Sequence, residues 1–492
     1  MRNISVIIVI LPLVAALLSL ALSKISLHLG RNFILCSVAA SLVLSIIQLK
    51  KVIEDGSIHY QLGNYRRPIG IEFSIDSVNA VIIVLICVVG LLTVFYSMSF
   101  EEGETNKIKI GGAHALTALL IVGMLGMTST GDVFNLYVFL EITSLSGYVL
   151  IALGGSRGVV SAFRYLLVGT VAATAYLLGI AILYASTGTL NMADMKEILS
   201  EGGHDGAMML SICFLVVGFG IKMALFPFHG WQPSAYTHAQ TGARPLIAGV
   251  MGKIPAYAMF RYMFCIFGSS FIYARRLLTL LGVLAVCGII YGSIRAMAQT
   301  DIRKMLSYSS VAQIGYIALG FAIGTPLALA GAFLHLIGHA FMKGGLFFAS
   351  GAIRYKYGIT DMRELGYVYK KMPATSGLLV IAALSMVGVP PAVGFFSKWY
   401  LALGAAEAHD YIYIAVLIIS SLLNAIYFFK MIEKIFMADD KHLKKLQKES
   451  RFEVPWTMMI AILCTFAAII LLGIFNVRIV DILMITLGEV GI

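Results

Sequence analysis

Long apolar runs alternate with short polar connections along the whole chain, as expected of helices that satisfy their own backbone groups inside a bilayer. The runs predict helices near residues 4–23, 31–49, 76–99, 112–130, 133–152, 160–186, 208–225 with a continuation past a break, and 244–266. Others follow near 277–295, 305–323, 327–350, 375–404, 411–437 and 456–475. Met1–Leu20 has the charged start and apolar run of a signal peptide but no clear small-residue cleavage site, so it is read as the first helix. Met192–Leu199 is amphipathic and is expected to lie at a membrane interface.

Two runs are interrupted. In MMLSICFLVVGFGIKMALFPFHGWQPSAYTHAQTGARPL, an apolar helix with one charge, Lys222, stops at Pro227 before a polar stretch holding His229 and His238. In SGLLVIAALSMVGVPPAVGFFSKWYLALG, Gly388, Pro390, Pro391 and Gly394 break the helix ahead of Lys398. Irregular backbone at membrane depth survives only against protein or water. Two such breaks, about 165 residues apart and each with one Lys, point to paired repeats around an ion path at the midplane. The expected division is 1–111 as N-terminal helices and loops, 112–266 and 267–437 as two five-helix repeats, and 438–492 as a loop and final helix.

Composition narrows the class. The 492 residues are 59% hydrophobic and 12% charged, with mean hydropathy +0.91, which leaves no room for a sizeable soluble domain. The expected fold is an all-α polytopic membrane protein of about fourteen transmembrane helices. The net charge of +11 does not signal nucleic acid, because the basic residues sit in short loops. Counted over alternate loops, Lys and Arg number about 21 on one side and about 9 on the other. The richer loops, among them 295–304, 354–371 and 430–451, are therefore expected in the cytoplasm, with both termini outside the cell membrane. Cys36, Cys87, Cys213, Cys265, Cys287 and Cys464 are scattered singly and read as small hydrophobes, so redox centres would belong to partner subunits and no cofactor is expected in this chain.

The charges left inside apolar segments carry the chemistry. An ammonium in hydrocarbon needs a partner or a wet cavity, which makes Lys222 a functional candidate. Glu141 is the only interior acid of its span and is the leading partner for Lys222; a structural salt bridge locking two helices is the plainer alternative. Asp132, at the start of the same span, is expected to be an N-cap. His335, His339 and Lys343 recur every fourth residue and so line one helix face over about 12 Å. Imidazoles pass protons because one ring nitrogen accepts while the other donates, although packed structural histidines would show the same spacing. The HLIGH spacing also suits zinc but lacks the Glu of H-E-x-x-H and a third ligand. Lys253 follows the first break, and lysines at close range cannot all stay charged, so some are expected to be neutral carriers. Arg164 is assigned to positioning or to balancing Glu141, and Arg261 lies near enough to a helix end to snorkel.

Taken together, GDVFNLYVFLEI, GIKMALFPFHGWQPSAYTHAQT, GKIPAYAMFRY, DIRKMLSYSSVAQIGY, HLIGHAFMKGGLFFASG and GVPPAVGFFSKW resemble, in order, the antiporter-like proton-translocating subunits shared by respiratory complex I, Mrp-type Na+/H+ antiporters and membrane-bound hydrogenases. The similarity runs from about residue 70 to 437. It implies a fourteen-helix core with two inverted five-helix repeats, each with one broken helix. It also implies Glu141 and Lys222 as the interacting pair of a first half-channel, Lys253 as the relay leaving it, and His335 and His339 at the central connection near Lys343. Lys398 would be the terminal group, similar to the pattern in the D-type antiporter subunits and some complex I members, and the chain as a whole resembles most the Mrp D-type subunit or the corresponding hydrogenase-like subunit. The chain departs from the family in the loop after Pro227, where Ser234, Tyr236 and Gln240 replace an acid, a His and a Pro. The stretch after the last predicted helix is expected to be too short for the lateral helix of the largest relatives.

The expected function is a proton-translocating, antiporter-like subunit of a multisubunit complex, either an Mrp-type antiporter or a related hydrogenase, sulfur reductase or complex I-like assembly. Its partners would be other membrane subunits, lipid, H+ and, in an Mrp-like module, Na+, with iron–sulfur or other redox centres confined to other chains. A stand-alone transporter of an organic substrate and a structural spacer are the competing classes.

Overall fold

The computed structural model describes residues 3–101, 106–201, 205–268, 274–366, 368–437 and 453–489. Helices α1 (Ile4–Ile25), α2 (Leu27–Asp55), α3 (Ser77–Ser97), α4 (Lys107–Ser129), α5 (Val133–Ala152), α6 (Ser156–Thr187), α7 (Met192–Ser200) and α8 (Asp205–Met223) lead to the first break. After it come α9 (Gln232–His238), α10 (Arg244–Leu246), α11 (Ile254–Phe260), α12 (Ala274–Met297), α13 (Ile302–Ile323), α14 (Pro326–Tyr357) and α15 (Val368–Lys371). The second broken helix is α16 (Pro373–Val387) with α17 (Val393–Glu407), followed by α18 (Tyr411–Phe436), α19 (Trp456–Ile474) and α20 (Asn476–Glu489). The chain is thus an all-α polytopic membrane protein, with 12 helices long and apolar enough to cross a bilayer among the described residues. The two remaining predicted spans are segmented: 244–266 and 375–404.

Burial separates centre from rim. The most apolar windows of α13 and α14 are each 94% buried, against 28% for α18 and 33% for α2, so the polar stripe on α14 faces protein rather than lipid. Capping follows the sequence: Asp132 accepts from Asn135 N at 2.7 Å to start α5, and Asp76 and Asn79 form a reciprocal capping box on α3.

Span 244–266 is not a uniform helix. The turns Ile247–Met251 and Arg261–Ile266 are π-helical and flank α11. Pro255 has no N–H to return to the preceding turn, which leaves the wider winding before it. This winding lets Gly249 approach α14 closely, since a Cβ there would lie 3.2 Å from the Ala340 carbonyl oxygen. Arg261 does not snorkel; it ion-pairs with Asp76 and donates to the Tyr257 hydroxyl at 2.7 Å. Two further elements escape hydropathy. One is a hairpin of β1 (Ile58–Gln61) and β2 (Glu72–Ile75), antiparallel with Ile58 opposite Ile75. The other is α20, whose Ile482 carbonyl accepts from Ser77 Oγ at 2.7 Å.

Candidate functional site

The first break forms because Ala224 turns at φ 60° and Pro227 supplies no N–H, a combination a right-handed helix does not accommodate. Just ahead of it, the buried Lys222 ammonium lies 3.3 Å from Glu141 Oε1 and donates to Ser144 Oγ at 2.7 Å. Glu141 and Ser144 are one turn apart on α5, so one helix face supplies both partners. The Lys222 ammonium also sits 6.0 Å from the Tyr148 ring centre. Trp231, beyond the break, ties back by donating from Nε1 to the Ile221 carbonyl at 2.8 Å, and stacks on Tyr165 at 3.7 Å.

The other buried lysines have no carboxylate partner among the described residues. Lys253 donates to the Ala248 carbonyl at 2.7 Å within the π-wound turn. Lys343 donates to the Leu306 carbonyl at 2.5 Å and to Ser309 Oγ on α13. Lys398 donates to the Met386 and Val387 carbonyls at 3.0 and 2.9 Å, and to Ser421 Oγ at 3.2 Å. Met386 and Val387 end α16, where the break leaves carbonyls without an intrahelical donor and places the negative end of the helix dipole. The second break therefore builds its own cation site.

The fully buried His335 and His339 rings lie 5.8 Å apart on α14. His335 Nδ1 is 2.9 Å from Ser397 Oγ, next to Lys398 on α17. Small residues set this meeting: a Cβ on Gly404 would lie 2.5 Å from Ala328 N, and one on Gly331 would lie 2.8 Å from Leu401 N. The pairs 328/404, 331/401 and 335/397 step along two antiparallel helices in register. Tyr316 of α13 closes the group, 5.2 Å from the His335 ring and 5.0 Å from the Lys398 ammonium. Lys253 is an electrostatic neighbour of His335, His339 and Lys343.

The supporting residues fare differently. Arg164 is exposed on α6 and makes no ion pair with Glu141 among the described residues. His229 lies between Phe226 and Tyr291, at 5.5 and 4.8 Å between ring centres. His238 Nδ1 is 3.2 Å from Ser161 Oγ, and Ser234, one of the departures from the family pattern, is 2.7 Å from the same hydroxyl. Sequence reasoning missed Ser144, Ser309, Ser397 and Tyr316, because a hydroxyl in an apolar helix gives no hydropathy signal. The available hint was on α13, where Ser309, Gln313 and Tyr316 recur at helical spacing.

Outside the membrane-spanning segments, His59 of β1 lies 3.0 Å from Glu72 of β2. The hydrogen bond to Glu72 raises the imidazole's proton affinity above its ordinary value, and the same contact holds the Glu72 carboxyl below the usual range.

Residues 130–424 match the family described as NADH:quinone oxidoreductase/Mrp antiporter, TM. The chain is 42% identical over 488 residues to the N-type subunit of the NADH-quinone oxidoreductase of Desulforudis audaxviator, covering 97% of each. It is 31% identical to the D-type subunit of the Na(+)/H(+) antiporter of Alkalihalophilus pseudofirmus, over 89% of this chain and 87% of that one. Its structure is similar to a chain of the archaeal membrane-bound sulfane sulfur reductase, with TM-score 0.89, 26% identity and coverage of 99% and 97%. A chain of the Mrp complex from a Dietzia species shares the fold, with TM-score 0.87 at 23% identity over 98% and 96%. Identity to the N-type relative is thus higher than identity to the D-type relative.

Proposed function

The chain belongs to the NADH:quinone oxidoreductase/Mrp antiporter transmembrane family, and from that premise we propose that it moves protons along Glu141, Lys222, Lys253, His335, His339, Lys343 and Lys398. The observation that carries this reading is the buried Lys222 ammonium held 3.3 Å from Glu141 at the edge of a broken helix. Proximity of the carboxylate stabilises the ammonium form, so withdrawal of Glu141 releases a proton toward Lys253. The lysines that rest on carbonyls and hydroxyls carry no fixed countercharge and can alternate between charged and neutral forms at modest cost. Lys398, on the carbonyl end of α16, is the terminal acceptor.

In this reading the protein sits in the cytoplasmic membrane with both termini outside, and the two broken helices belong to repeats spanning 112–266 and 267–437. It works among other membrane subunits, with redox centres in those partners. The 42% identity to a quinone oxidoreductase subunit, against 31% to an antiporter subunit, favours a redox-driven assembly over an Mrp-type antiporter. Iron–sulfur content in the co-purified complex tests that choice, and a complex without redox centres overturns it. Replacing Lys222 by Ala is expected to abolish coupled proton movement in the assembled complex; unchanged pumping would sink the path.

A further inference from the structure

α13 and α14 pack antiparallel, and their register can be read from three contacts. A Cβ on Gly320 would lie 2.6 Å from Ala332 Cβ, Tyr316 meets His335, and Ser309 meets Lys343. The residue between the last two rungs on α13 is Gln313, one turn from Ser309; on α14 it is His339, one turn from each of His335 and Lys343. Both are fully buried. Neither amide atom of Gln313 and neither ring nitrogen of His339 hydrogen-bonds to any described residue, and His335 Nε2 shares this state. Buried polar atoms are satisfied in nearly all proteins, by water where protein does not reach. Five such atoms along one interface mark a polar node.

A second line of polar groups joins the same region and differs from it. Tyr427 donates to Asn424 Oδ1 at 2.5 Å, Asn424 Nδ2 donates to the Tyr316 hydroxyl at 3.1 Å, and that hydroxyl donates to Ser420 Oγ at 2.7 Å. Ser420 then donates to the Leu417 carbonyl at 2.9 Å. The line ends on main chain, with an amide in its middle that does not exchange protons readily. This network orients Tyr316 and is interrupted for transfer at the Asn424 amide, whereas the Gln313–His339 face has donors and acceptors that no described residue engages.

We propose that Gln313 is a positioning residue which, with His339, holds a hydrogen-bonded water linking Lys343 to His335. This rests on the proton path proposed above and adds a member to it. The amide offers a donor and an acceptor but does not itself take the proton. A proton leaving the Lys343 ammonium enters the water, which gives one of its own protons to a ring nitrogen of His339. The proton on the opposite ring nitrogen then leaves toward His335, so His339 ends neutral with its tautomer exchanged.

The test is proton movement by the assembled complex in sealed vesicles. Lys222→Ala and Lys343→Ala at wild-type rate would remove the path itself. With those two inactive, Gln313→Met is expected to slow movement about ten-fold, the rate equivalent of one lost buried hydrogen-bond link. Gln313→His, which keeps one donor and one acceptor and adds no fixed negative charge, is expected to retain most of the rate. Gln313→Met combined with His339→Leu is expected to be no slower than His339→Leu alone. A wild-type rate in Gln313→Met, a rate in Gln313→His as low as that of Gln313→Met, or a multiplicative loss in the double variant overturns the role of Gln313. Should Gln313→Met not assemble, Gln313→Ser, too short to reach across, is expected to show the same loss, and its wild-type rate overturns the inference equally.

Discussion

Glu141→Gln is the sharpest perturbation of the Lys222 site. It preserves volume and leaves the Ser144 hydroxyl 2.7 Å from the ammonium, so only the charge is removed. Unit charges 3.3 Å apart attract by about 5 kcal/mol at an effective dielectric of roughly 20. The Ser144 hydroxyl that remains on the ammonium takes up part of this, leaving a loss of roughly 3 kcal/mol, the lower end of the range for breaking a buried pair. A step that depends on the charged pair should then slow on the order of a hundred-fold. The assay is substrate-driven acidification of inverted vesicles followed by a pH-sensitive dye, with assembly checked by co-purification. A Glu141→Gln complex that assembles and pumps at the wild-type stoichiometry would refute the reasoning.

Asp76→Asn removes the ion pair to Arg261 and weakens the α3 capping box; it is expected to destabilise the protein by about 3 kcal/mol, and an unchanged Tm in detergent would contradict this. Glu453 accepts from Ala374 N, Thr375 N and Thr375 Oγ1 at 2.8, 3.0 and 2.9 Å, capping α16 from a distant segment. Glu453→Ala should cost about 2 kcal/mol, visible as faster backbone hydrogen exchange in the first turn of α16 and absent from α13. For the hairpin, the raised His59 contributes stability that is full below 6.5 and lost as pH rises through its folded value, and the lowered Glu72 contributes stability that is full above 4.5 and lost as pH falls. Exchange protection of residues 58–75 should therefore peak between those values, and a flat profile from about pH 4 to about pH 8 would show that the contact carries no weight.

Much of the architecture was legible in the chain. Transfer of a segment into hydrocarbon depends on that segment's own residues, so hydropathy located the spans, and 133–152 agrees with α5 residue for residue. The breaks were equally local, since Pro227, Gly388 and Pro391 fall within apolar runs that would otherwise continue as helix. The hairpin and the segmented 244–266 span were not legible. Four-residue strands are too short to stand out in a polar loop, and π-winding depends on what packs against the helix.

The sequence by itself determined which residues lie in membrane helices and which charges sit among them, because both follow from composition and order within a single stretch. It nominated Glu141 for Lys222, but 81 residues separate them, and only the packing of α6 against both α5 and α8 brings the two to 3.3 Å. The tertiary structure also decided that Lys253, Lys343 and Lys398 rest on carbonyls and hydroxyls rather than on acids, and that Gln313 stands level with His339. The physical reason is that partner choice depends on which helix faces approach closely. Glycines at 249, 331 and 404 set those approaches while contributing almost nothing to the hydropathy pattern.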